Sequence, residues 1–312
     1  MADSSEDQAS KAAAAAGRST EDALTYQPGV VRLVAHRGAG FGQNDPTGPP
    51  ENTLAAIEYG FQQGADAVEV DVWCTKDGVP ILHHDATTGR TTDLPDVAIN
   101  SLSLDEVRRL NAGAWKSDRW AGETVPTLAA ATALVPSHGA LVVEIEEGPQ
   151  VVEKIVETLI GSSLIEEQIV IISYNLDTAA AVKRIAPQLR VLWILNTMPL
   201  CDLGGWAQGH RRGQHSRPTG FEEQADSRWI VDTAEAAGLD GIDTLFAYPP
   251  DLPNLAADRG LKWMVWTVND PRAVSQCLDD GAWAITTDNP GTLAMWLSAA
   301  GIPTVSEAGD AF

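Results

Sequence analysis

Cysteine is scarce and badly placed for cross-linking. Cys74, Cys201 and Cys277 are odd in number and far apart, which excludes a disulfide framework and a CxxC metal site and leaves three free thiols. Basic residues are also few: 21 Lys plus Arg stand against 43 Asp plus Glu, for a formal net charge of −22. That balance repels nucleic acid and anionic membrane surfaces. No run approaches the roughly 18 apolar residues that a membrane span requires. The longest apolar run near the start, Ala12 to Ala16, is too short for a signal-peptide core. The expectation is a cytoplasmic protein with no nucleic-acid partner and no stable membrane insertion. Its oligomeric state is not written in the chain.

Core material, by contrast, is ample. A hydrophobic fraction of 44% over 312 residues is enough for one large α/β barrel or two ordinary domains. Residues 1–26 are acidic and rich in Ser and Ala, and are expected to form a disordered or loosely ordered arm. The barrel is expected over 27–302, with 303–312 as a loose tail.

Val30 to Ala35 reads as a short strand ending in His36-Arg37-Gly38, followed by a Gly/Pro-rich loop to Pro50. Asn52 then serves as N-cap of a helix carrying Leu54, Ile57 and Phe61 at helical spacing, and Gly64 stops it. Further strand-like runs fall at 67–73, 141–146, 168–173, 190–195, 240–244, 262–268 and 283–287. Helix-like segments sit near 103–111, 128–134, 150–160, 176–186, 226–237, 250–259, 271–279 and 291–299. Eight strands alternating with helices over about 260 residues is the arithmetic of a (β/α)8 TIM-type barrel, with a doubly wound sheet as the alternative. In such barrels the chemistry sits at the C-terminal ends of the strands. His36, Asp71, Glu144, Asn269 and Asp288 all fall there. One segment, about 196–228, breaks the rhythm. It holds His210-Arg211-Arg212-Gly213, His215 and Arg217, and reads either as an anion-holding cluster or as a solvated insert.

The stretch from Val68 to Asp85 organises the rest. Val68, Val70 and Val72 alternate with Glu69 and Asp71, so one strand face is apolar and the other carries two carboxylates. Asp77-Gly78 is a hairpin signal. Taken as a two-residue turn, it sets Asp71 opposite His84 in a hairpin excursion after strand two. An amphipathic edge hairpin would share this pattern. In a barrel strand, however, inward carboxylates are costly unless they are paired or bound to a cation. Glu144, alternating with Val143 and Ile145, points inward beside Glu69 and Asp71.

An all-carboxylate set suits Mg2+ or Ca2+ rather than zinc or copper. His36 and His84 reach the same rim, where paired imidazoles suit general acid–base work, and Arg37 offers a fork that matches phosphate oxygens. Together these groups suggest cleavage at phosphorus. His83 is read as structural, His138 as a surface loop residue, and Asp288 as a cap on the last helix before Pro290.

Several ordered motifs now carry a resemblance: His36-Arg37-Gly38, Pro50-Glu51-Asn52-Thr53, Gly64-Ala65-Asp66, Glu69-Val70-Asp71-Val72, Thr75-Lys76-Asp77-Gly78, His84-Asp85, Arg90-Thr91-Thr92, Pro126-Thr127-Leu128, Glu144, Trp266-Thr267-Val268-Asn269 and Thr287-Asp288. Over residues 31–299 the chain resembles the glycerophosphodiester phosphodiesterase family of TIM-type barrels. The resemblance implies that Glu69, Asp71 and Glu144 hold one divalent cation, that His36 and His84 are the acid–base pair, and that Arg37 binds phosphate. It implies that Glu51 lies in or beside the metal shell and that Trp266 walls the pocket for a small-molecule phosphodiester. The nucleophile is either water or a neighbouring substrate hydroxyl, which would give a cyclic phosphate first.

Two departures qualify the default substrate. Where the family usually has Lys, two residues after the third carboxylate, this chain has Glu146. That exchange is expected to weaken binding of a dianionic substrate unless Glu146 recruits a second metal or pairs with an Arg. The second departure is the pair of insertions at Phe41 to Pro49 and 196–228. A specialised phosphodiester or lysophospholipid substrate, or a catalytically silent phospho-ligand-binding barrel, are the alternatives.

Overall fold

The computed structural model describes residues 30–39, 47–197 and 226–305. The N-terminal arm expected at 1–26, most of the Phe41 to Pro49 loop and nearly all of the 196–228 segment lie outside them. Among the described residues the strands are β1 (Leu33–Ala35), β2 (Ala67–Cys74), β3 (Pro80–Leu82), β4 (Ala140–Ile145), β5 (Ile169–Ser173), β6 (Arg190–Leu195), β7 (Gly241–Leu245), β8 (Lys262–Trp266) and β9 (Ala284–Thr287). The order is β1-β9-β8-β7-β6-β5-β4-β2-β3, and a further β1–β2 pairing closes the ring. Every pairing is parallel except β2–β3. Eight parallel strands therefore form a closed (β/α)8 barrel, and β3 is the return arm of the hairpin.

The helices around it are α1 (Leu54–Gln62), α2 (Leu104–Val107), α3 (Leu128–Thr132), α4 (Val152–Ile160), α5 (Leu176–Ile185), α6 (Ser227–Ala236), α7 (Leu252–Asp258), α8 (Pro271–Asp279) and α9 (Pro290–Ala299). Strand alternation sorts the core into two clusters. Val68, Val70, Val72, Val143, Ile145, Ile171, Val191 and Ile285 point outward to the helices. Val34, Ala67, Ala140, Val142, Val170, Ile172, Leu192, Ile194, Met264 and Ala284 fill the barrel interior. Side chains continuing the interior rows toward the C-terminal ends of the strands are Glu69, Asp71, Glu144 and Glu146.

Four expectations need correction. The hairpin register pairs Val72 with Leu82 and Trp73 with Ile81, one residue away from a two-residue Asp-Gly turn. Thr75 N–H donates to Val79 O (3.0 Å) and Gly78 N–H to Thr75 O (2.8 Å), so the loop is the three residues 76–78 with Gly78 at φ 79°. This is the turn-plus-left-handed-residue form of hairpin. His83, not His84, therefore lies across from Asp71, its N–H donating to Asp71 O at 3.0 Å.

Asn52 does not cap α1. Thr53 does, its Oγ1 accepting from Ala56 N (3.2 Å), while Asn52 adopts φ 57° and turns to the site. The segment near 103–111 makes only the short α2, although Ser103 N–H does donate to Glu106 Oε2 (2.8 Å). Finally, residues 303–305 are not loose: Val31 N–H donates to Pro303 O (3.2 Å) and Val305 N–H to Val31 O (3.0 Å), and Thr304 and Val305 are buried. Cys74 and Cys277 are buried free thiols.

Gly60 sits in α1 where the helix crosses the strands. A Cβ there would stand 2.9 Å from Val68 Cγ1, 3.0 Å from Ala35 Cβ and 3.1 Å from Gly38 O. Helix propensity favours Ala over Gly by about 1 kcal/mol, but overpacking of this kind costs about 1–3 kcal/mol. Gly60→Ala is expected to lower unfolding stability by about 1 kcal/mol in urea, and a gain in stability would show that α1 is free to move off the barrel.

Candidate active site

The first functional turn follows β1 directly. His36–Ala39 form one 3-10 turn in which Arg37 (φ 52°) and Gly38 (φ 75°) are left-handed. A Cβ on Gly38 would lie 2.7 Å from the Ala56 carbonyl carbon and 2.8 Å from Ile57 N, so only glycine lets α1 approach this closely. The turn aims Arg37 N–H at Glu69 Oε2 (2.8 Å), and Asn52 N–H closes it by donating to Arg37 O (3.2 Å).

Parallel register sets Asp71 beside Glu144 on adjoining strands. Carboxylate oxygens of Glu69, Asp71 and Glu144 all lie within 4.8 Å of one another. Burial raises the pKa of Glu69 and Glu144 well above the carboxylate range, and the charge of Asp71 pushes both further. Asp71 moves the other way. Burial opposes its charge, but Arg37, the two histidines and the Asn52 hydrogen bond hold it low. Asn52 clamps it from both sides, Nδ2 donating to Asp71 Oδ2 (2.6 Å) and Oδ1 accepting from Asp71 N (3.0 Å).

Two further carboxylates face this interior. Glu146, inward on the row of Glu144, is raised by burial and then by Glu144 and Asp71. Asp243 on β7 is 1% exposed, its Oδ1 has no hydrogen-bond partner, and burial alone raises it. Glu147 points outward instead and clamps the hairpin, accepting from Cys74 N (3.2 Å) and Asn100 Nδ2 (2.8 Å).

So many buried acids around Arg37 carry more negative charge than one guanidinium offsets, and Glu69 Oε1 is enclosed without a hydrogen-bond partner. Both observations fit a hard cation held by Glu69, Asp71 and Glu144. A second group, Asp71, His84 and Glu146, also has ligand atoms within 4.8 Å of one another.

Each histidine is oriented by a carboxylate. His36 Nδ1 donates to Asp288 Oδ1 (2.7 Å) and His84 Nδ1 to Asp85 Oδ1 (2.6 Å). Both rings are bound at Nδ1, and His84 Nε2 lies 3.8 Å from Glu146 Oε1. Asp288 is thus no helix cap: it accepts from His36 and from Asn269 Nδ2 (2.8 Å). Behind Asp85 stands Arg90, whose Nε donates to Asp85 Oδ2 (2.6 Å) and whose Nη1 and Nη2 donate to Glu51 (2.8 and 2.7 Å). Glu51 also accepts from Arg37 Nη1 (2.9 Å).

Burial works against the Glu51 charge, yet Arg37 and Arg90 hold its pKa far below the usual range. Glu51 is therefore an anchor for two guanidiniums, with both oxygens engaged. Trp73 Nε1 donates to His84 O (3.1 Å), fixing the backbone of that residue. Trp266, the last residue of β8, stands edge-on to Tyr174 with ring centres 6.0 Å apart. His83 Nε2 donates to Thr87 O (3.1 Å) and burial lowers its pKa, a structural role as expected.

Spacing along the chain singles out neither Asp85, Asp288, Arg90, Asn52 nor Asp243 as acting on these groups. Asp85, Asp288, Arg90 and Asn52 lie within the motifs that carry the family resemblance, and Asp288 also falls at a strand end, but their partners are not written in the chain.

A closed parallel barrel with an acidic pocket and two His–Asp pairs at its C-terminal rim defines a barrel phosphodiesterase. The glycerophosphoryl diester phosphodiesterase family model matches residues 36–292, and the chain belongs to that family. It is a phosphoric diester hydrolase. A glycerophosphodiester phosphodiesterase of Caldanaerobacter subterraneus subsp. tengcongensis is 29% identical over 267 residues, covering 84% of this chain and 95% of that protein. Glycerophosphodiester phosphodiesterase 1 of Bos taurus is 41% identical over 110 residues, 35% of this chain and 31% of that protein. An Oleispira antarctica phosphodiesterase, solved with its product sn-glycerol-3-phosphate, shares the fold at TM-score 0.69 and 23% identity, covering 86% of this chain and 97% of that one. No helix among the described residues is long and apolar enough to cross a membrane.

The acids give the metal-free protein a pH signature. A carboxyl raised in the fold adds stability that is fully present below its ordinary value of 4.5 and is lost as pH rises through the folded-state value. In EDTA the melting temperature is expected to fall as pH is raised from about 5 towards 8, and Mg2+ or Ca2+ is expected to restore it by an increment that grows with pH. A melting temperature in EDTA that is level across that range would contradict the crowding.

Proposed function

We propose that the protein hydrolyses a glycerophosphodiester-like substrate to an alcohol and a phosphomonoester, with Glu69, Asp71 and Glu144 holding a divalent cation and His36 and His84 moving protons. The observation that carries this reading is the pair of carboxylate-oriented imidazoles beside one acidic pocket. His84 offers a ligand atom within 4.8 Å of one on Asp71, and His36 adjoins Arg37, whose N–H donates to Glu69 Oε2 (2.8 Å).

The cation, when bound, neutralises charge on phosphate oxygens. The Arg37 guanidinium, held in place by Glu51, shares that work through oriented donors that need no reorganisation. One imidazole Nε2 takes a proton from water as its oxygen forms the new bond to phosphorus. The other gives its proton to the alkoxide as the ester P–O bond breaks. Diester plus water becomes alcohol plus phosphomonoester, and the two rings have exchanged protonation states. Asp288 and Asp85 keep each Nε2 facing the reaction and stabilise each ring while it is protonated. Trp266 provides the apolar wall for the alcohol portion.

General acid–base groups are worth about 10²–10⁴-fold in rate. His36→Ala and His84→Ala are each expected to lower kcat by that order with the melting temperature kept, read on glycerophosphocholine with and without EDTA. Near-normal turnover in either variant would remove that histidine from the mechanism.

Glu146 favours a second reading, a specialised substrate or a second cation on Asp71, His84 and Glu146. Glu146→Lys separates the two. Faster cleavage of simple glycerophosphodiesters would mean that the natural substrate is another diester or lysophospholipid, whereas loss of activity together with loss of one bound cation per chain would make Glu146 a ligand.

A further inference from the structure

The opposite end of the barrel holds a second concentration of charge, this time positive, in a chain whose net charge is −22. Arg32 lies just before β1, Arg190 opens β6, Lys262 opens β8, and Trp283 lies just before β9. All four belong to the N-terminal ends of the strands, and Arg190, Lys262 and Trp283 stand four or five residues and so roughly 13–17 Å along the strands from their C-terminal ends at about 3.3 Å per strand residue. The Arg32 and Arg190 guanidinium carbons stand 5.3 and 5.0 Å from the centre of one Trp283 ring, and Lys262 Nζ stands 4.8 Å from it.

Three cations around one indole repel one another. Burial lowers Lys262 to about 7, with Arg190 and Arg32 adding to the effect. Burial and then Arg32 bring Arg190 down to about 10. Lys262 is 7% exposed, and its Nζ is enclosed with no hydrogen-bond acceptor. An enclosed ammonium without an acceptor is costly.

Among the carboxylates nearby, Asp240 pulls on both Lys262 and Arg190. Asp240 Oδ2 accepts from Lys183 Nζ (2.9 Å) and Val191 N (2.8 Å), and Asp66 Oδ2 accepts from Leu33 N (2.8 Å). Glu167 exerts a further pull on Arg190. Two guanidiniums with an ammonium form a donor set that matches the several oxygens of an oxyanion, and half-buried Arg190 is the most exposed of the three.

We propose that the barrel floor is a binding site for a small inorganic oxyanion of the phosphate or sulfate class, held by Lys262, Arg190 and Arg32 with Trp283 as its wall. The site is separate from the catalytic pocket and does not depend on the reaction assigned there. Binding supplies the acceptor that Lys262 lacks and offsets the mutual repulsion of the three cations, so it stabilises the folded chain by mass action.

The test is thermal unfolding of the full chain in EDTA, titrated with sulfate or inorganic phosphate against chloride at matched ionic strength. Arg37→Ala controls for the catalytic pocket. Both anions also stabilise proteins by exclusion from the surface, so the reading is the difference between variants. A rise of several degrees is expected in the wild-type protein and in Arg37→Ala, and loss of most of it in Arg190→Gln and in Lys262→Met.

Lys262→Met removes a buried charge and should melt no lower than wild type without added anion. Arg190→Gln, at a half-buried position, keeps the test open if that variant misfolds. Arg190→Gln is also expected to retain wild-type hydrolysis. Crystals soaked in selenate are expected to show anomalous density beside Lys262. Equal stabilisation by chloride, an increment that survives Arg190→Gln but vanishes in Arg37→Ala, or selenate density confined to the catalytic rim would each overturn the proposal.

Discussion

Buried carboxylates that repel one another are the constraint on which the rest of this molecule turns. The interior row of β2 and its neighbours changes from Ala and Val at the floor to Glu69, Asp71, Glu144 and Glu146 at the rim. That arrangement costs stability until positive charge is supplied. Arg37 supplies part of it from within the chain, with Glu51 and Asp71 as its partners. The remainder fits a divalent ion, and the same imbalance that weakens the metal-free fold gives such an ion its affinity.

Around this pocket lies a continuous chain of ionic hydrogen bonds: Arg37 to Glu51, Glu51 to Arg90, Arg90 to Asp85 and Asp85 to His84. Its effect is to couple the Arg37 guanidinium to the His84 imidazole, with bidentate contacts on both sides of Arg90. The His36 imidazole is held through Asp288, just after β9, which also accepts from Asn269, just after β8. The two imidazoles are thereby held from neighbouring parts of the rim, His36 from the segments after β8 and β9 and His84 from the segment after β3.

The two ends of the barrel differ in sign. Negative side chains gather where the strands end, and cations stacked on Trp283 gather where they begin. Strand alternation delivers both sets to the same interior, separated by layers of Ala, Val, Ile, Leu and Met. The apolar layers are what permit opposite charges to be buried in one barrel without neutralising each other.

The eight-strand rhythm was legible in the chain because apolar runs of strand length alternate with helical spacing: β1 begins three residues later than read, at Leu33, and every other barrel strand lies within two residues of the segment read for it. The inward direction of Glu69, Asp71 and Glu144 was legible for the same reason: a side-chain period of two is a local property. What lay beyond reach was register and long-range pairing. A turn one residue longer than Asp-Gly suggested moved His83 into the place read for His84, and His84 reached the pocket only because the chain leaves the ladder after Leu82.

Asn52 looked like a helix cap because capping and clamping use the same side-chain oxygen, and Asp288 looked like one because Pro290 follows. Their partners, Asp71 and His36, are 19 and 252 residues away. Sequence alone determined which residues could face inward. Only closure of the barrel decided which of them meet, because hydrogen bonds and ion pairs depend on distances that no spacing along the chain records.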